Sequence, residues 1–325
     1  MKNTTRKFLL PERYRMVFGA AFFFFMMLGI FMLSAPTVFL DIGIYSAIFL
    51  SLPLFMIVGL SLVFCVVSGE IDLSFPSIIT FTGFVFAWIL EQTDNSFIFA
   101  ASAALLAGAV CGLINAFLVV KLGLSSLITT LGMNFAIVGL TQILNQGNIR
   151  TFEELNETKI RTVLVGSTGP IPNQMLWALG IAVILGLVFH RHKFGLHVRI
   201  CGDNPEAGRA MGVNIEATKI ICFVLVGVAS SIVAIQNVYL NSTYFSTTGD
   251  GYLLPVLAAI FIGGTPVTGG RGTIGGMVIG ATTVAFINTG VIASGLDGFW
   301  TSFGFGIAVV LSLLGHRKFS GRLTR

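Results

Sequence analysis

Long apolar runs limit this chain more than any motif does. A helix that crosses a bilayer needs about 20 mostly apolar residues. Ten candidate runs occur, at 17–35, 43–67, 74–90, 97–120, 125–145, 174–189, 219–240, 252–267, 273–292 and 299–315. Between them the chain has too few charges to cover a water-facing surface. Charged residues make up 10% of the chain, against about 25% in a soluble domain. The expected fold class is therefore all-α: a polytopic integral membrane protein of about ten transmembrane helices, one transmembrane domain over 1–325, solvated by the lipid bilayer.

The basic residues orient the spans. With the N-terminus inside, sixteen of the nineteen Lys and Arg fall on inside segments. Arg150, Lys159 and Arg161 alone fall outside. This is the bias that sets membrane topology, and it predicts both termini in the cytoplasm. The basic start followed by the run 17–35 has no small-residue cleavage site after it, so that run is expected to remain as a helix. Two longer connections stand out, an external loop at 146–173 and a cytoplasmic loop at 190–219. None of the four cysteines falls in a segment placed outside, so a disulfide framework is not expected. The runs 74–90 and 252–267 are short, and each has a proline near its start, Pro76 and Pro255. Pro53 predicts a kink in the second run. Broken or re-entrant geometry is open for all three.

The stretch "GGRGTIGG", Gly269–Gly276, contains a G-x-G-x-x-G pattern. A dinucleotide fingerprint needs a parallel strand before it and a soluble helix after it. Here both flanks are membrane runs. The glycines are better read as a tight reversal followed by a small-residue helix face, with Gly272, Gly276 and Gly280 four apart. Gly108 and Gly112 make a similar face. No G-K-[ST] occurs, so the chain has no P-loop and no nucleotide site of that kind. No metal spacing and no catalytic constellation is apparent, and nothing points to nucleic acid.

The cytoplasmic loop contains "CGDNPEAGRAMGVN", Cys201–Asn214. Asn204 suits an N-cap, Pro205 the first helical position and Glu206 the first turn. Gly212 suits a left-handed stop. This predicts a helix of about two turns, with Ala207, Ala210 and Met211 on one face and Gly208 and Arg209 beside it. It is either a plain interfacial connector or a helix presented to a cytoplasmic protein.

At this stretch the chain resembles a family. "FGLHVRICGDNPEAGRAMGVN" is similar to the cytoplasmic coupling loop of ribose/xylose/arabinose-type ABC transporter permeases. "VSGEIDLSFPSIITFTG" (Val67–Gly83), "GLSSLITTLGMNFAIVGL" (Gly123–Leu140) and "GYLLPVLAAIFIGGTPVTGGRGTIGG" (Gly251–Gly276) resemble three more of its motifs, in order over about 40–310. The chain departs where Glu70 stands for a usual glycine, Phe75-Pro76 for Val-Gly, Ser125-Ser126 for prolines and Gly208 for an alanine. The resemblance implies a permease subunit in the bacterial cytoplasmic membrane, importing a monosaccharide. Its implied partners are a second identical or related permease subunit, a cytoplasmic ABC ATPase that carries ATP and Mg, and an external sugar-binding protein. Asp203, Asn204, Pro205, Glu206, Ala207, Gly208, Arg209, Met211 and Gly212 would then form the ATPase-coupling segment. Within the same architecture, nucleosides, a furanose signalling molecule or branched-chain amino acids are alternative cargoes. An ion-coupled secondary transporter is the rival from another class.

Polar residues in the runs are candidates for the substrate path: Asn134 first, then Thr130, Asn115 and Asn288. Each could equally bond across helices. Glu70 and Asp72 are expected in the short inside turn after the second run, with Asp72 or Ser74 capping the next helix.

Overall fold

The computed structural model describes residues 12–320, with side chains from 17 to 311. The N-terminal cations and the C-terminal tail lie outside that range. The fold is almost wholly helical. Its helices are α1 (Glu12–Ser34), the turn α2 (Pro36–Phe39), α3 (Ile42–Val67), α4 (Phe75–Gln92), α5 (Phe97–Ala116) and α6 (Ser126–Asn145). Then come α7 (Lys159–Val165), α8 (Asn173–Arg191), α9 (Lys193–Asp203), α10 (Pro205–Ala210), α11 (Ile215–Asn241), α12 (Leu253–Ile262), α13 (Ile274–Ala293) and α14 (Phe299–Ser320). Eight of these are long and apolar enough to cross a membrane, α1, α3, α4, α5 with its π-helical extension to Lys121, α6, α8, α11 and α13. The protein is a polytopic all-α membrane protein. Below, the end of the bundle that carries α9 and α10 is called lower, and the end that carries 146–173 upper.

Local chemistry sets the helix starts. Asp41, Thr158, Asn204, Asn214 and Thr273 each accept a hydrogen bond from a backbone N–H in the first turn of the following helix, satisfying donors that a helix start leaves open. α6 and α11 both end on a left-handed residue, Gln146 and Ser242.

α3 is the axis of the bundle: from Met56 to Val67 every residue is buried. Pro53 sits inside α3, and the helix continues through it. Around α3 pack α8, α11, α12 and α13. The most extensive helix pair is α11 with α5. There Gly108 and Gly112 face the α11 backbone: a Cβ on Gly112 would lie 2.5 Å from the Phe223 carbonyl oxygen. On α13, Gly276 and Gly280 meet the backbone of Gly263 and Ala259. Gly272 corrects the four-residue spacing read from the sequence. It precedes the N-cap Thr273 and lies in the turn below α12, against Val67 and Thr265. Spacing alone did not reveal where the helix starts.

The upper loop is a small ordered cap. β1 (Arg150–Thr151) pairs with β4 (Thr243–Tyr244), and β2 (Ser167–Thr168) with β3 (Ile171–Pro172). A 3-10 turn at Glu153–Glu157 seats Leu155 beneath it. All four cysteines are buried thiols. Burial pushes the Cys201 thiol, which lies between spans, above its ordinary pKa.

Candidate translocation face and lower-end helix

α12 has ten residues, so it is about 15 Å long, half of a hydrocarbon core of about 30 Å. The run 252–267 is thus only partly helical. The chain reaches α12 from the upper end as extended and turn backbone, and three contacts fix its course. Tyr244 pairs with Arg150 in the upper cap. The Ser246 hydroxyl accepts from Asn145 Nδ2 at 2.9 Å, at the upper end of α6. Gly249 N donates to Thr80 Oγ1 at 3.0 Å. Thr80 lies just above Ile78, which packs with Ile137, and Ile137 is midway along α6. Residues 245–252 therefore descend to about the middle of the bundle before helix resumes. At 249 only glycine fits, because a Cβ there would run into the Pro76 carbonyl.

This stretch is not enclosed. Phe245, Thr247, Asp250 and Gly251 are exposed. Lipid cannot satisfy irregular backbone or a carboxylate at that depth, and such backbone occurs only against protein or a water-filled cavity. α6, which flanks the stretch, is itself sparsely covered and exposes Gly132, Phe135, Gly139 and Gln142. Asn134 is half-buried on α6, and its Oδ1 has no hydrogen-bond partner.

A second unwound stretch enters from the lower end. Residues 70–74 run without regular secondary structure from the end of α3 to the start of α4. Ile71 N donates to Ser126 Oγ at 3.2 Å, and Leu73 N to Thr130 Oγ1 at 2.9 Å. Asp72 is fully buried. It accepts from Ser74 N at 2.8 Å and Ser74 Oγ at 2.6 Å, while Asn115 Nδ2 reaches Ser74 Oγ at 2.7 Å. Ser74 occupies the N-cap position of α4, yet its side chain makes no cap bond. Asp72 instead steadies the approach to the helix.

The path candidates from the sequence thus separate. Thr130 and Asn115 are fully buried and fasten the 70–74 stretch. Asn134 is half-buried on the stripe of α6 that also carries Thr130, Ile137 and Thr141, the packed side of the helix. Asn288 is half-buried on α13, which packs chiefly against α3, α12 and α1, apart from that face. Thr247 and Asp250 were missed. The interrupting glycines 249 and 251 just before Pro255 were the signal available for them.

At the lower end, α10 has the form its sequence predicted. Asn204 Oδ1 accepts from Ala207 N at 3.0 Å, Pro205 opens the helix, and Gly212 adopts a φ of +80°. Gly208 is buried toward Ile200 and Ile215, where the alanine usual in the resembled family would not fit without a shift. Asp203, Glu206, Ala207, Arg209, Ala210 and Met211 are exposed, Met211 to 65%. Among the described residues, no group of three His, Cys, Asp or Glu could hold a metal ion.

A multi-pass helical bundle with a broken span and an exposed short helix at its lower end fits a membrane permease. The family comparison agrees. The chain belongs to the family described as branched-chain amino acid transport system / permease component, whose model matches residues 44–313. It is 31% identical to the ribose import permease protein RbsC of Escherichia coli over 81% of each chain. It is 30% identical to the probable ABC transporter permease protein y4mJ of Sinorhizobium fredii, over 80% of this chain and 77% of that one. It is 29% identical to the autoinducer 2 import system permease protein LsrD of Klebsiella pneumoniae, over 80% and 79%. No solved structure matches the chain.

Proposed function

We propose that this chain is the permease subunit of a binding-protein-dependent ABC importer for a monosaccharide, in the bacterial cytoplasmic membrane. The observation that carries the reading is the exposed, non-helical stretch 245–251 with Asp250 at mid-depth. Lipid cannot cover it, so the face it shares with α6 is turned to a water-filled path beside a second permease subunit. Thr247, Thr248 and Asp250 offer hydroxyl and carboxylate groups, the chemistry that recognises a neutral polyol. The ribose in the name of one relative supports the same cargo class, and the autoinducer 2 in the name of another supports the signalling-molecule alternative. Nucleosides, a furanose signalling molecule and branched-chain amino acids are the alternatives within the architecture.

In this reading the lower end is cytoplasmic, with ten crossings counted when 243–262 and α14 are included. The charge distribution supports that orientation. α10 then docks an ABC ATPase, which holds the ATP and Mg. Ala207 and Met211 enter its groove, while Glu206 and Arg209 meet its polar rim. The upper cap receives the sugar-binding protein.

An ion-driven carrier is the second reading, and one observation favours it: Asp72 is a fully buried carboxyl with no cation among its hydrogen-bond partners. One experiment separates the two. The permease is reconstituted in liposomes with and without its ATPase and loaded binding protein, and uptake of labelled ribose and related sugars is measured. Uptake should require both partners and ATP, and Ala207→Trp should abolish it while the permease still inserts. Uptake by the permease alone under a proton or sodium gradient would sink the ABC reading.

A further inference from the structure

Glu70 and Lys219 lie 149 residues apart in sequence and meet at 2.5 Å, Oε1 to Nζ. Their side chains are only 15% and 19% exposed. Each is attached to a different working part. Lys219 lies in the second turn of α11, and the corner that joins α11 to α10 is a small apolar unit of Cys201, Val213 and Ile215. Asn214 caps α11 at that corner. Glu70 opens the unwound stretch 70–74, whose next residues bond to α6 through Ser126 and Thr130. Further contacts join the same neighbourhood. Gly270 N donates to the Val67 carbonyl at 2.8 Å, and Gly202 backs onto the same carbonyl.

A surface ion pair contributes little to stability in the ordinary case. This one is partly desolvated, and so stiffer than an exposed pair. It links the start of the 70–74 stretch to α11, side chain to side chain. The neighbouring pair, Lys121 with Glu216, lies on the exposed side of α11, its side chains 52% and 54% exposed.

We propose that the Glu70–Lys219 ion pair is the joint that carries movement of the α9–α10–α11 corner into the 70–74 stretch and on to α6. Glu70 and Lys219 are then positioning residues for transport. This rests on the permease reading above. Pulling Lys219 with the corner draws Glu70 along, and Ile71 and Leu73 pass the displacement to the first two turns of α6. Residues 71–73 lie outside both α3 and α4, so they can shift without unfolding a helix.

The test uses the full complex of permease, ATPase and binding protein in liposomes, with sugar uptake and ATP hydrolysis measured on the same preparation. Wild type must first show ATP-dependent uptake; its failure to do so would count against the permease reading. Glu70→Gln and Lys219→Gln should each lower the sugar moved per ATP at least tenfold while basal hydrolysis persists. The charge exchange Glu70→Lys with Lys219→Glu should restore most of that ratio. Lys121→Gln, on the exposed pair, should leave the ratio unchanged. A second variant guards against misfolding: Glu70→Cys with Lys219→Cys, the native cysteines being buried. Unlinked, it should be uncoupled; joined by a reducible bifunctional thiol reagent, it should regain coupling, and reduction should reverse this. A wild-type ratio in both single variants, or in the unlinked double cysteine, overturns the joint.

Discussion

Gly112→Ala tests the packing that places the α5–α11 pair. The added Cβ would lie 2.5 Å from the Phe223 carbonyl oxygen and 2.9 Å from Val224 Cα. Those neighbours are helix backbone, so they cannot swing aside as a side chain would. Reaching the 3.4 Å of ordinary contact opens the helix pair by about 0.9 Å. A gap of that size forfeits about a quarter to a half of the dispersion energy of each separated atom pair. Overpacking of this kind costs about 1–3 kcal/mol. Alanine in a helix returns about 1 kcal/mol relative to glycine. The overlap wins because α5 and α11 form the most extensive helix pair in the bundle. The net expectation is a loss of up to about 2 kcal/mol, and Gly112→Leu should not assemble. Gly132→Ala is the control: no atom lies within 4 Å of the new Cβ, so only the propensity gain applies. Thermal midpoints of the two purified variants, measured by loss of monodispersity in detergent, should move in opposite directions. An unchanged or raised midpoint for Gly112→Ala would refute the close-approach argument.

Two more predictions follow from the same face. Thr130→Val leaves the partly buried Leu73 N–H without its acceptor and should cost about 1–3 kcal/mol, whereas Thr141→Val, whose hydroxyl bonds to Ile137 O of its own helix, should be near neutral by the same midpoint assay. In sealed cells, Glu154→Cys and Asp250→Cys should react with an impermeant thiol reagent applied outside, with Asp250→Cys slower, and Arg209→Cys should not react; labelling of Arg209→Cys would overturn the proposed orientation.

What the sequence disclosed, it disclosed through local or solvent-imposed rules. Lipid requires long apolar runs, so the spans were visible as runs. A helix start needs acceptors for its open N–H groups, so Asn204 and Pro205 announced α10 with no knowledge of the fold. Rules of spacing did less well where the local start was hidden, as Gly272 shows: it fits the period of Gly276 and Gly280 but precedes Thr273, the N-cap. Residue type told that Asn115 and Thr130 needed partners. It could not tell that those partners were Ser74 and the backbone of 71–73, reached only when α4, α5 and α6 come together. Asp72 looked like an ordinary turn residue for the same reason. Glu70 was legible only as an oddity, because its partner Lys219 is set by tertiary packing.

The broken span shows how these levels meet. α4 and α12 each begin with a proline in the first turn, and each is preceded by backbone that is not helical. α4 rises from the lower end and α12 descends to it, and the two starts pass where Gly249 bonds to Thr80. The unwound backbone before α4 therefore serves the lower half of the bundle, and that before α12 the upper half. α6 touches both, through Ser126 and Thr130 below and Asn145 above. A solute crossing beside α6 would meet polar backbone in each half in turn, without a continuous unwound channel ever opening through the protein. In the proposed importer, the upper stretch faces delivery from the binding protein. The lower stretch is the one tied, through Glu70 and Lys219, to the helix that meets the ATPase. Separate stretches for the two halves are what alternating access needs, since one can be moved while the other stays closed.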